Sequence, residues 1–218
     1  MPARTPRARA PRRVLLLAAG LLAAAVVGLL AGRALPTTPG ANSVDVGFAR
    51  DMTTHHAQAV SMAYTALQRA PSDEVRQLAV DIASTQGNQT GRMEQLLLSW
   101  DQPLSSAGRP VMAWMAGTDL HERHESALAQ GRTMPGMATA AEMARLNSES
   151  GEQFEVDFLQ LMLRHHAGGL DMARYGAEHA TTEQVRDLAD AIARSQQAEA
   201  QLLTSHLSER GAAPLPAP

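Results

Sequence analysis

The sequence predicts an all-α protein: a four-helix bundle made of two repeated helical hairpins joined by a long crossover, with an apolar helix ahead of it. Three observations lead there. Apolar residues recur at alternating steps of four and three, the seam of a packed helix. One segment occurs twice. No stretch alternates apolar and polar residues as a half-buried strand does.

The repeat is FARDMTTHHAQAVSMA at 48–63 and FLQLMLRHHAGGLDMA at 158–173, offset by 110 positions. Phe48, Met52, His55, His56, Ala57, Met62 and Ala63 recur, and the matches run on from Val75 to Gln86 against Val185 to Gln196. Duplication at a fixed offset predicts two copies of one supersecondary unit.

The chain begins with Arg4, Arg7, Arg9, Arg12 and Arg13, followed by 19 uncharged positions from Val14 to Gly32. This basic-then-apolar order over residues 1–34 is that of a signal anchor or a signal peptide. The length suits a membrane span of about 20 residues better than a signal core of about 7–15. Gly32-Arg33-Ala34 is a mediocre small-x-small cleavage site. The arginine bias predicts a single-pass protein in the cell membrane with its C-terminal domain outside, or a secreted one if the segment is cleaved.

Six of the 19 basic residues belong to that segment and none of the 22 acids does, so the exported part has 13 arginines and a net charge of −9. Such a domain does not suit a phosphate backbone, which excludes nucleic acid as a partner. The absence of cysteine excludes disulfides and thiolate metal sites. With three Phe, two Tyr and two Trp, the core must be built from aliphatic residues and Met.

Residues 35–44 read as a linker and 45–210 as the bundle, with repeat 1 over about 45–100, the crossover over 101–147 and repeat 2 over about 148–210. Residues 211–218 form a Pro-containing tail. The first seam is Phe48, Met52, His55, Ala59, Met62. Pro71 ends that helix, and Ser72 with Asp73 and Glu74 supplies an N-cap and acidic first turn for the next. In the second copy Ser150 and Gln153 form a capping box, and the seam runs Phe158, Met162, His165, Gly169, Met172. Thr181 and Gln184 open the last helix. The Gly-, Pro- and Met-containing crossover has room for two short helices.

Folding each hairpin about its turn sets His55 across from Gln86, Met52 from Gln89, His165 from Gln196 and Met162 from Glu199. Gln86, Gln196 and Glu199 are therefore the candidates to hold the ligating histidines in orientation. An approximate two-fold between hairpins would gather His55, His56, His165 and His166 with Met52, Met62, Met162 and Met172. Adjacent histidines differ by about 100° around a helix, so one of each pair lies in the seam and one flanks it. Imidazole suits copper, zinc, nickel and iron; thioether shifts the choice toward copper, with zinc or iron as alternatives. The plain alternative is core packing for the methionines and a hydrogen-bonded network for the histidines.

Weaker metal candidates lie in the crossover. His121, His124 and Glu125 share one helical face, where a solvated charged turn is the alternative. Met112 with Met115, and Met134 with Met137, are thioether pairs suited to Cu(I). His179 and His206 have no counterpart in the first copy and read as structural or exposed.

The block from Met134 to Ala173, both HHxxxxxMA repeats, MAWM, MPGM and Gln196-x-x-Glu199 resemble the actinobacterial branch of the Domain of Unknown Function 305 family over Val46–Leu207. The resemblance implies an exported, ferritin-like four-helix bundle, with some members linked to copper binding and tolerance. Gln89 departs from an acid usual in the family, and Leu203 and His206 replace a Met and a Trp.

Three functions fit these features. The first is an extracytoplasmic metal-binding protein for copper buffering, carriage or tolerance. The second is a ferritin-like copper or iron oxidoreductase, whose di-iron form would need Glu-x-x-His motifs that are absent here. The third is a structural or interaction bundle with a buried histidine network. No nucleophile-base order or phosphate loop marks an enzyme, and no feature names a protein partner.

Overall fold

The computed structural model describes residues 14, 16–26, 38–106 and 108–216. Among these, all regular structure is helical. The chain divides into Met1–Thr38 and Pro39–Pro218. In the first unit residues 14 and 16–26 are helical, and no described helix is long and apolar enough to cross a membrane. The remainder of the expected anchor lies outside the described residues.

The second unit carries α1 (Val44–Arg69), α2 (Asp73–Ser99), a 3-10 turn at Ala113–Met115, α3 (Asp119–Ala129), α4 (Ala140–Ser148), α5 (Gly151–His179) and α6 (Glu183–Glu209). α1 with α2 and α5 with α6 form the two expected hairpins. The crossover holds the two short helices α3 and α4.

Each hairpin turns at an alanine whose N–H closes the last helical turn: Ala70 onto Ala66 O and Ala180 onto Gly176 O, both within 3.0 Å. Pro71 follows the first and cannot continue the helix, having no N–H. The next helix is capped from the other hairpin. Asp45 accepts from the N–H groups of Thr181 and Thr182 at 3.0 and 2.8 Å, and from both hydroxyls. Glu155, its repeat equivalent, accepts from Ser72 N–H and Oγ at 2.7 and 2.5 Å. A carboxylate at a helix N-terminus satisfies orphan donors and meets the positive end of the dipole. The hairpins are thus reciprocally latched, one latch at each end.

Three capping expectations need correction. Ser72 makes no side-chain cap bond; its hydroxyl donates to Glu155 and accepts from Arg210 Nη2 instead. Ser150 makes none either; the capping box is at Thr139 and Glu142, opening α4. The last helix opens at Thr182 rather than Thr181, with the Thr182 hydroxyl accepting from Val185 N–H.

The core has two apolar halves. One joins Met62, Phe154, Phe158, Met162, Ile82 and Leu203. The other joins Phe48, Met52, Met93, Met172, Ile192 and the crossover methionines. Between them all four long helices contribute polar residues: His55 and His56, Gln86 and Gln89, His165 and His166, and Gln196, all buried. The result is a polar layer at mid-bundle, walled by hydrocarbon above and below.

Candidate metal centre

α1 and α5 run antiparallel, and His55 meets His165 with ring centroids 3.8 Å apart and planes tilted by 40°. Each is the other's repeat equivalent, so the pseudo-two-fold axis passes between the rings. Both are fully buried. Space for them comes from Gly169, where an added Cβ would lie 2.7 Å from the Gln196 amide and 3.0 Å from His55 Cε1. The first copy has Ala59 there, so only one side is cut back.

Hydrogen bonds fix the tautomers. His55 Nε2 donates to Pro135 O at 3.1 Å, and His165 Nε2 donates to His55 O at 3.0 Å. His56 Nε2 donates to Gln89 Oε1 at 2.8 Å, and Gln89 Nε2 donates onward to Ser195 Oγ at 3.1 Å. Because the acceptors are oxygens, the lone pair of each of these rings lies on Nδ1. The Nδ1 atoms of His55, His56 and His165 are buried and have no hydrogen-bond partner among the described residues.

His166 differs. Its Nδ1 faces Met162 O at 3.0 Å and its Nε2 faces Glu199 at 2.6 Å. Both partners carry acceptor oxygens, so both ring nitrogens are engaged. Of the four histidines, three have open Nδ1 atoms and one is held by Glu199.

The facing pairs also shift. Gln89 meets His56 rather than Met52, and Glu199 meets His166 rather than Met162, one helical turn along in both hairpins. Gln86 and Gln196 do not orient His55 and His165; backbone carbonyls do. All four amide atoms of Gln86 and Gln196 lack partners among the described residues. An unsatisfied buried polar group costs about 1–3 kcal/mol, so this layer is expensive as plain packing.

Burial sets the electrostatics. It pushes His55 down to about 4 and His56 down to about 3, the neighbouring imidazoles adding to the effect. His165 is likewise driven well below 6.5 by burial, then by His55, His166 and His56. These rings are neutral at physiological pH, the form that binds metals.

The crossover closes one side of the layer through a tight backbone contact. An added Cβ at Gly168 would lie 2.2 Å from Pro135 O, and one at Gly136 would lie 2.5 Å from Arg164 O. Gly136 also has φ +78°, which favours glycine. Arg164 grips the same loop through Gly136 O and Met137 O and pairs bidentately with Glu142 at 2.8 and 2.7 Å. Pro135, Gly136, Gly168 and Arg164 were not singled out in the sequence, although two adjacent glycines inside the long α5 helix are a signal of close approach.

The methionines divide. Met52, Met112, Met115, Met134, Met137 and Met172 share one apolar half. Met62 and Met162 lie in the other, with Phe154 and Phe158. Met112, Met115 and Met172 line one small cavity together with Pro135 and Gly168. Met112 has φ +62° and is held by its N–H to Asp51 Oδ2 at 2.7 Å. Such a conformation costs a non-glycine residue about 1–2 kcal/mol.

In the third candidate set His121 Nε2 is 3.9 Å from Glu125, and the rings of His121 and His124 are 6.1 Å apart. Among the described residues no three His, Asp or Glu side chains already stand as a metal would hold them. The three open Nδ1 atoms, each ring fixed through its other nitrogen, nevertheless fit the donor pattern of ligating histidines. His179 is exposed and bonded to Tyr175 O.

The family model for the domain of unknown function DUF305 matches residues 45–207. The chain belongs to the DUF305 family. A DUF305 protein from Streptomyces coelicolor, named as a candidate secreted protein, is 43% identical with a TM-score of 0.72, over 81% of this chain and 99% of its own. A DUF305 fragment from Deinococcus radiodurans is 32% identical with a TM-score of 0.64, over 80% of this chain and 99% of its own. CopM in its Cu(I)-bound form is 25% identical with a TM-score of 0.54, over 76% of this chain and 96% of its own. No curated protein sequence matches the chain.

Proposed function

We propose that this protein binds copper outside the cytoplasmic membrane and buffers or carries it, without catalysis. The observation that carries the reading is the pair His55–His165. Two neutral, buried imidazoles meet with their rings tilted by 40°, each locked by a backbone carbonyl so that Nδ1 is left open. His56 presents a third open Nδ1 in the same layer. The similarity to CopM, solved with Cu(I), supports copper over zinc or iron. The basic-apolar N-terminus and the relative named as a candidate secreted protein support the extracytoplasmic location.

The residues divide the work. Pro135 O and His55 O fix the tautomers of the two facing rings. The hydrocarbon halves exclude water, and Met112, Met115 and Met172 place thioethers beside Pro135, on the side where the crossover closes. A bound copper ion would supply a soft or borderline acceptor for these nitrogens and sulfurs.

The test is a competition titration of the full chain with Cu(I) and Cu(II). Stoichiometric binding is expected, lost when His55, His56, His165 and His166 are all changed to Ala. Retained binding in that variant, with its helical content intact, refutes the assignment. Thermal stability unmoved by copper or chelator would instead support a purely structural histidine network.

A further inference from the structure

Arg50 is a buried guanidinium that makes no direct ion pair among the described residues. It is 4% exposed, its Nε reaches Pro103 O at 3.4 Å, and its Nη2 has no partner among the described residues. The adjacent Asp51 attracts it through space but makes no bond to it. Its Oδ1 accepts from Ser106 Oγ at 3.0 Å, and its Oδ2 accepts from Met112 N–H and Trp114 Nε1–H at 2.7 and 2.9 Å. No ion pair joins Arg50 to any acid among the described residues. A buried charge left unpaired is costly.

Arg50 lines a cavity of about 410 Å³ together with Arg109, Trp114, Asn42, Ser43 and Asp51, whose carboxylate oxygens are already held by Ser106, Met112 and Trp114. Ser43 is the N-cap of the 26-residue α1, so the positive end of that helix opens into the same space. The charges of Arg109 and Asp51 both act on Arg50, with opposite sign, so the carboxylate offsets part but not all of the positive field of the two guanidinium groups and the helix end. The Trp114 indole lies so close to the helix backbone that a Cβ at Gly47 would come within 2.4 Å of it, which gives the cavity a flat aromatic wall. In a domain of net −9 this concentration of positive charge stands against the overall balance.

We propose that the cavity binds a phosphate-class oxyanion, held by the guanidinium groups of Arg50 and Arg109 at the N-terminus of α1. Guanidinium forks match phosphate oxygens two at a time, and a helix N-terminus adds donors and field of the same sign. Free inorganic phosphate and a phospholipid headgroup share this chemistry. The cavity is distinct from the histidine layer and does not depend on copper binding.

The test uses the full chain carrying Trp100→Phe in micelles of a phosphate-free maltoside detergent, titrated with inorganic phosphate while tryptophan emission reports on Trp114. A saturable response is expected, weakened roughly tenfold to a hundredfold by Arg50→Gln and by Arg109→Gln. Arg109→Gln changes a side chain whose hydrogen bond is exposed, so it guards against a folding defect at Arg50. A second preparation places the same chain in phosphatidylglycerol discs. A phosphate response that disappears there, or an emission change that phosphatidylglycerol alone produces and both substitutions abolish, assigns the site to a headgroup. No response in either preparation, or one that survives both arginine substitutions, overturns the proposal.

Discussion

His55 and His165 lie across the pseudo-two-fold axis with their rings 3.8 Å apart, and His165 donates to the backbone oxygen of His55. One member of the pair therefore depends on the main chain of the other. Copper affinity is expected to fall by similar factors in His55→Ala and His165→Ala, about a hundredfold or more. In His166→Ala, whose nitrogens are both engaged, it should fall by less than about tenfold. Competition titration of the three single variants orders them; a dominant His166 would contradict the donor pattern.

Gly168 is the point where the crossover touches α5. Gly168→Ala places a methyl group 2.2 Å from Pro135 O, against backbone on both sides. Overpacking of this kind costs about 1–3 kcal/mol. The denaturation midpoint should drop accordingly, and copper binding should weaken as well because Pro135 O positions His55. An unchanged midpoint would show that the loop gives way freely.

Acid should destabilise the metal-free protein earlier than its carboxylates would suggest. His55 and His56 are held near 4 and 3 by burial. Their unfolded forms take up protons near 6.5, so stability is full above 6.5 and falls as pH drops from there toward about 4. The slope is up to about 1.4 kcal/mol per pH unit per ring. Glu142 does not contribute in that window: burial alone would raise it, but Arg164 and Thr139 hold it down to about 2. Its own contribution is present above 4.5 and lost only as pH falls toward about 2. Urea unfolding measured between pH 6.5 and 4 checks the slope, which should flatten in His56→Gln.

Asp45 and Glu155 latch opposite ends of the bundle. Burial would raise each carboxyl, yet their hydroxyl, amide and, for Glu155, guanidinium partners bring both below the ordinary range. Asp45→Asn and Glu155→Gln are each expected to cost about 1–2 kcal/mol. Because the sites share no partner, the double variant should show the sum of the two losses within about 0.5 kcal/mol. Marked non-additivity would mean that the latches communicate through the core.

The helical seams, the hairpins and the meeting of His55 with His165 were legible in the sequence because period and repeat offset are strong local signals. The residue facing each histidine was not. Facing positions inferred from a turn are uncertain by one helical turn, and both hairpins took that turn, giving Gln89 to His56 and Glu199 to His166. The lock on His55 by Pro135 was invisible for another reason: it spans 80 positions and uses a backbone oxygen, which no side-chain pattern encodes. The division of the methionines into two halves likewise follows from where the crossover docks.

A two-fold axis that passes between a residue and its own copy is the geometry of a symmetric homodimer, where residue i meets residue i of its partner. Here the two halves are one chain, and that removes a constraint. Identical subunits could offer only the same neighbour to each flanking histidine. Covalent duplication lets Gln89 give one a neutral amide while Glu199 gives the other a carboxylate. The fold keeps the shape of a dimer and gains a chemical polarity that no dimer of identical chains could have.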